Sequence, residues 1–213
     1  IDPSGVALIF VDEKGENSIG VALGANSKLS SMDVNEAKEA IESAEILLMQ
    51  LETPIATVEQ AATIAKAAGV KVILNPAPAQ VLDDALLGNI TVITPNESEA
   101  EVLTGITVVD FSSAEQAAEV LLNRGVKVVI VTMGAKGALL KTQNLAKVVP
   151  GLKVEAVDAT AAGDVFNGSL VVAMSEGKTL EESVEFANSA AALSVTKLGA
   201  QPSAPTRTEL ETI

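Results

Sequence analysis

Apolar positions change their period near residue 30. Before that point, Val6 to Val11 and Ser18 to Val21 are two short β segments. The turn-like Asp12, Glu13, Lys14, Gly15, Glu16 and Asn17 between them predict a hairpin. After it, helical and strand patterns alternate. Asp33 to Ser43 has helical spacing and Ile46 to Leu51 reads as a buried strand. Pro54 fits the first turn of a helix ending near Gly69. Val70 to Leu74 is a strand stopped by Asn75, Pro76, Ala77 and Pro78, and Ile90 to Thr94 is one stopped by Pro95. Asn96 opens a helix to about Thr104, and Ser112 with Glu115 predicts a capping box for a helix reaching Arg124. Lys127 to Thr132 is a strongly apolar strand, and Gly137 to Thr142 and Ala146 to Val157 read as antiparallel strands. Helices over Gly163 to Ser175 and Leu180 to Thr196 close the pattern. Repeated strand–helix units with continuously apolar strands predict an α/β fold: a mostly parallel sheet with helices on both faces.

Ligands of such sheets bind beyond the carboxyl ends of the strands. Glu52, Asn75, Asn96 with Glu99, and Thr132 with Gly134 all fall at those ends.

Composition narrows the chemistry. The 213 residues carry 14 Lys and Arg against 28 Asp and Glu, a net charge of −14. That balance disfavours nucleic acid and anionic membrane surfaces as partners. With no Cys and no His, thiolate and histidine metal sites, cysteine nucleophiles and histidine bases are excluded. Catalysis has to run on carboxylates, Lys or Arg, hydroxyls and backbone. No signal peptide and no apolar run of spanning length is evident, so the cytoplasm is the expected compartment.

The richest stretch is Asp158-Ala-Thr-Ala-Ala-Gly-Asp164-Val-Phe-Asn-Gly168. Small residues between two carboxylates admit an anion to the backbone, and the apolar run after them reads as a buried helix. Gly163 and Asp164 then lie at a helix N-terminus, which favours phosphate. A carboxylate there is placed to take a proton from a hydroxyl beside that phosphate.

Other candidates have a structural and a chemical reading. Asn96 and Glu99 fit a capping box, or the positioning of phosphate and metal-bound water. Glu52 would accept sugar hydroxyls or cap the next helix. Thr132, Met133, Gly134, Ala135, Lys136 and Gly137 form a turn, or a bed for a nucleotide. Gly177, Lys178 and Thr179 resemble the end of a P-loop, but Val172 stands where its first Gly belongs, so they read as a helix stop. Ser194 to Ser203 is a Gly-terminated helix end, or a set of carbonyls for a monovalent cation beside Asp158.

Together these residues resemble the ribokinase-like, phosphofructokinase-B type sugar kinases. Asp158 to Gly168 corresponds to the family's second signature, in its Ala-Ala-Gly-Asp form where many relatives have Gly-Ala-Gly-Asp. Met49 to Pro54, Asn75 to Ala79, Thr94 to Glu101 and Gly199 to Ser203 match as well. The resemblance implies ATP-dependent phosphorylation of D-ribose at its 5-hydroxyl, giving ribose 5-phosphate and ADP. Asp164 would be the general base, with the amides of Ala161, Ala162, Gly163 and Asp164 as an anion hole. Glu52 would bind a ribose hydroxyl. Asn96 and Glu99 would organise the ATP phosphates and Mg²⁺. Thr132 to Gly137 (Met133, Gly134, Ala135 and Lys136 included) would line the nucleotide, with Asn188 near the adenine. Asp158, Thr160, Ser194, Lys197, Gly199 and Ser203 match positions that hold an activating K⁺. Ala159 replaces a common Thr.

The family's sugar-binding first strand and its Gly-Gly-Lys signature are not in this sequence, which opens at Ile1 as if inside a fold. Residues 1–25 are expected to be the remainder of a β lid that covers the sugar and makes homodimer contacts. Residues 26–213 would be the nucleotide-binding and catalytic domain. The alternatives are another sugar or nucleoside kinase of the same fold, or a non-catalytic nucleotide-binding fragment.

Overall fold

A computed structural model of the chain describes residues 2–11 and 17–212. Its elements follow the expected order with several shifted boundaries. β1 (Val6–Val11) and β2 (Asn17–Ala22) pair in a two-stranded sheet. Most of the turn expected between them, residues 12–16, lies outside the described residues.

The stretch expected as one helix is two, α1 (Ser31–Glu36) and α2 (Lys38–Ser43), because Ala37 sits at φ −83°, ψ 1° and interrupts the winding. β3 (Ile46–Met49) stops two residues early. Pro54 is the N-cap of α3 (Ile55–Ala67) and not part of its first turn. β4 (Lys71–Leu74) is followed by α4 (Asp84–Leu87), a short helix the apolar pattern does not announce. β5 shrinks to Val92–Ile93.

α5 (Glu97–Thr104) starts at Asn96 as expected. α6 (Phe111–Asn123) does not use Ser112 and Glu115. Asp110 caps it and Ser113 occupies the third helical position, so the box lies two residues earlier. Ser113 Oγ accepts from the amides of Val109 and Asp110, both at 3.0 Å. β6 (Val128–Thr132), a 3₁₀ turn at Gly134–Lys136, β7 (Gly137–Lys141) and β8 (Ala146–Pro150) follow; β8 ends at its proline, not at Val157. α7 (Ala162–Ser175) and α8 (Leu180–Ser194) are separated by Gly177 at φ 79°, where the helix stop was expected. α9 (Arg207–Leu210) is the last element.

The chain divides into two compact units. One comprises Ile1–Val6, Leu23–Met133 and Leu139–Val148, the other Ala7–Ala22, Gly134–Ala138 and Val149–Ile213. The main sheet has the order β3-β4-β5-β6-β7-β8. β3 to β6 are parallel in register, Leu47 opposite Val72, Ile73 opposite Val92, and Ile93 opposite Val129. β7 and β8 are joined by only residues 142–145, a link too short for a parallel crossover.

In the first unit, α3 packs on β3 and β4 while α5 and α6 pack against β6. α3 buries Val58, Ala61, Ala62 and Ala65, and α6 buries Ala114, Ala117, Ala118, Leu121 and Leu122. These are the i, i+3, i+4 positions of one helical face, and the many alanines let helix and sheet approach closely. Val72, Leu74, Ile93, Val129 and Val131 supply the sheet side of the same core. In the second unit, α7 packs on α8.

Candidate active site

In the first unit, four strand ends are laced side by side. The Asn75 amide donates to Met49 O at 2.9 Å, and Leu51 N donates to Ala77 O at 2.8 Å. Thr94 N donates to Leu74 O at 3.1 Å, and Thr132 N to Pro95 O at 2.9 Å. The chain ends carrying Glu52, Asn75, Asn96 and Thr132 therefore form one row, as the parallel sheet predicts. Glu52 is half-buried, and it does not cap α3, which has no side-chain cap. Of its two readings, the helix-cap one is removed.

Asn96 and Glu99 do form a capping box. Asn96 Oδ1 accepts from Glu99 N at 2.8 Å and from Ser98 Oγ at 2.9 Å, and Glu99 Oε2 accepts from Asn96 N at 2.9 Å. Burial pushes the Glu99 carboxyl above the usual carboxylate range, and the Asn96 amide opposes it. Met133 is buried, and Thr132 is half-buried.

In the second unit, Gly134, Ala135 and Lys136 form an exposed 3₁₀ turn that ends in the buried Gly137. Asn188 is buried on α8 and donates to Val149 O at 3.1 Å and to Pro150 O at 3.2 Å.

The Asp158–Gly168 stretch is built around an unusual residue. Ala161 is the N-cap of α7 at φ 61°, ψ 13°, and among the described residues no side chain caps this helix. An L-residue in that left-handed region is strained by about 1 kcal/mol. Ala162 N closes the turn onto Ala159 O at 3.2 Å. Above Gly163 the space is open, since a Cβ there would meet nothing within 4 Å. Asp164 is exposed in the first turn.

Of the residues matched to a cation site, Asp158, Thr160 and Gly199 are joined by hydrogen bonds. Asp158 Oδ1 accepts from Thr160 N at 2.9 Å and Oδ2 from Gly199 N at 2.8 Å. The Thr160 side chain, then the Gly199 and Thr160 amides, hold the Asp158 carboxyl below its ordinary range. The hydroxyl's dipole favours the carboxylate without the geometry of a hydrogen bond, and Thr160 Oγ1 is buried with no hydrogen-bond partner among the described residues. Val157 N and Asp158 N both donate to Val195 O. Ser194 and Ser203 are fully buried, with hydroxyls donating to Ala191 O at 2.8 Å and Ala200 O at 2.7 Å. Lys197 Nζ is turned to Glu209 at 2.6 Å, so only its main chain is left to face such a site.

The sequence matches the pfkB family carbohydrate kinase model over residues 2–207. The chain belongs to this family. It is 52% identical over 206 residues to a ribokinase of Haemophilus influenzae, covering 97% of this chain and 67% of that protein. It is 41% identical over 211 residues to a ribokinase of Staphylococcus aureus, covering 99% of this chain and 69% of that one. Among solved structures, Arabidopsis thaliana ribokinase complexed with ribose and ATP superposes with a TM-score of 0.89 at 36% identity, over 99% of this chain and 69% of that one. Among the described residues, no helix is long and apolar enough to cross a membrane.

The backbone of Val149–Gly151 runs against the Gly134–Gly137 turn, Gly151 N donating to Lys136 O, a contact that sequence reasoning missed. The Pro150-Gly151 dipeptide was its signal, since that pair punctuates a strand.

Proposed function

We propose that this pfkB-family chain transfers the γ-phosphoryl group of ATP to the 5-hydroxyl of D-ribose, giving ribose 5-phosphate and ADP. The observation that carries the reading is Ala161. Its left-handed backbone starts α7 with no side-chain cap among the described residues, and Gly163 lies open beside Asp164. Strain held at one loop residue is a reason to look for function there. Here it turns the first-turn amides of a helix toward incoming negative charge.

In this reading Asp164 removes the proton of the 5-hydroxyl as that oxygen attacks phosphorus. The amides of Ala161, Gly163 and Asp164, with Ala162 in the same turn, stabilise the moving phosphoryl group. Glu52 accepts a hydrogen bond from a ribose hydroxyl. Thr132 to Gly137 bed the nucleotide, with Asn188 near the adenine. Asn96 orients the phosphates, and Glu99 keeps Oε1 clear of its helix cap, suited to a metal-bound water. Mg²⁺, when bound, would offset the charge of the phosphates.

Oxygen donors and the orphaned Thr160 hydroxyl fit a monovalent cation such as K⁺ at Asp158, Thr160, Ser194, Lys197, Gly199 and Ser203. A cation there would stiffen the loop leading to Ala161. We read residues 1–25 as lid and homodimer contact, residues 26–213 as the catalytic domain, and the cytoplasm as the place of action.

The test is Asp164→Asn. Ribose-dependent ADP release should fall by about 10²–10⁴-fold while ATP binding persists. Near-normal turnover with ATP binding intact would sink the assignment, and a panel of pentoses and nucleosides tests the acceptor.

A further inference from the structure

The turn Gly134–Gly137 is locked from one side. Gly137 lies at φ 100°, and a Cβ built on it would fall onto Val149 O and Gly151 N. A Cβ on Gly151 would lie 2.7 Å from Ala135 O and 3.0 Å from Gly137 N. Gly151 N donates to Lys136 O at 3.3 Å. Two backbones therefore run together with no room for a side chain between them, a closeness that only glycine permits. The outer strand of that pair is itself tied down. Asn188 spends both Nδ2 hydrogens on Val149 O and Pro150 O. Two carbonyl acceptors fix the orientation of the amide.

We infer that Asn188 and Gly151 are positioning residues for the nucleotide: Asn188 acts by tethering Val149–Gly151, and Gly151 transmits that tether to the turn Gly134–Gly137. This rests on the reading of that turn as the nucleotide bed. It changes the part given to Asn188. Its donors are committed to the chain, so its effect on ATP runs through backbone placement and not through a hydrogen bond given to the purine.

Asn188→Asp separates the two roles. It keeps shape and an acceptor oxygen but has no donor for Val149 O or Pro150 O. If the residue served by accepting from the base, Asp would substitute; as a tether, Asp fails as Ala does. The experiment uses the 213-residue chain with Asn188→Asp, Asn188→Ala and Gly151→Ala, each checked for folding by far-UV circular dichroism. Hydrogen exchange of amides 134–138 without nucleotide should quicken about tenfold in both Asn188 variants, and calorimetric Kd for Mg²⁺–ATP should weaken by about tenfold in all three. Unchanged exchange in Asn188→Asp, or an unchanged Kd in that variant, overturns the inference. If Gly151→Ala does not fold, the near-isosteric Asn188→Asp still decides. If the unaltered chain takes up no ATP, the nucleotide reading falls, while the exchange data independently decide whether the tether exists.

Discussion

Asn96 and Glu99 hold each other's backbone, Asn96 Oδ1 on the Glu99 amide at 2.8 Å and Glu99 Oε2 on the Asn96 amide at 2.9 Å. The pair starts α5 at the carboxyl end of β5 and leaves one carboxylate oxygen, Oε1, outside the box. Losing the cap with Asn96→Ala should cost about 1 kcal/mol, and Asn96→Asp, which still caps, should cost less. Burial raises the Glu99 pKa on folding. For an acid this means folding favours the protonated form. The stability that Glu99 contributes is therefore fullest in acid and is lost as pH rises from about 4.5 through its raised folded value. Glu99→Gln removes that dependence, so the Tm of the variant minus that of the unaltered chain should grow with pH across this interval. A flat difference would show that burial is not what governs this carboxyl.

Ala161 offers a second test. Its φ of 61° suits glycine. Ala161→Gly relieves backbone strain but adds freedom to the unfolded chain, two effects of about 1 kcal/mol or less that oppose each other. Stability should change by about 0.5 kcal/mol or less. Ala161→Val places a β-branched side chain in the same backbone region and should cost about 2 kcal/mol or more. Urea unfolding followed by circular dichroism measures both, since the chain has no Trp or Tyr. Equal stability of the Gly and Val variants would mean that the loop relaxes and holds no strain.

Much of this was written in local pattern. Val128 to Val131 is apolar without a break because both faces of β6 are covered, and Asn96 followed by Glu99 three residues on marks a helix start whatever lies around it. Where two starts shared one spacing, local pattern chose wrongly: Asp110 outcompetes Ser112 because Ser113 accepts from two amides at once. α4 was invisible because one turn of Asp-Ala-Leu-Leu has no period to read. Nor did sequence reveal that Ala161 would be left-handed, since alanine carries no sign of it. The Asn188 tether joins residues 39 positions apart, and nothing local to either end announces the other.

The last prediction concerns acid. Glu209 Oε1 meets Lys197 Nζ at 2.6 Å, and its Oε2 accepts from Thr206 N at 2.8 Å as part of the α9 capping box. The Lys197 ammonium first, then the Thr206 amide and hydroxyl, hold its carboxyl down at about 2, against about 4.5 for an ordinary glutamate. For an acid whose pKa falls on folding, the stabilisation is fully present above the unfolded value and is lost as pH drops through the folded one. Glu209→Gln should therefore melt lower than the unaltered chain at neutral pH, and the gap should close between about pH 4.5 and about pH 2. The pair is partly exposed, so added salt should narrow the gap at neutral pH as well. A gap of constant size from neutral pH down to about 2 would mean that Glu209 acts through packing at the start of α9, and that the ion pair to Lys197 contributes no net stability.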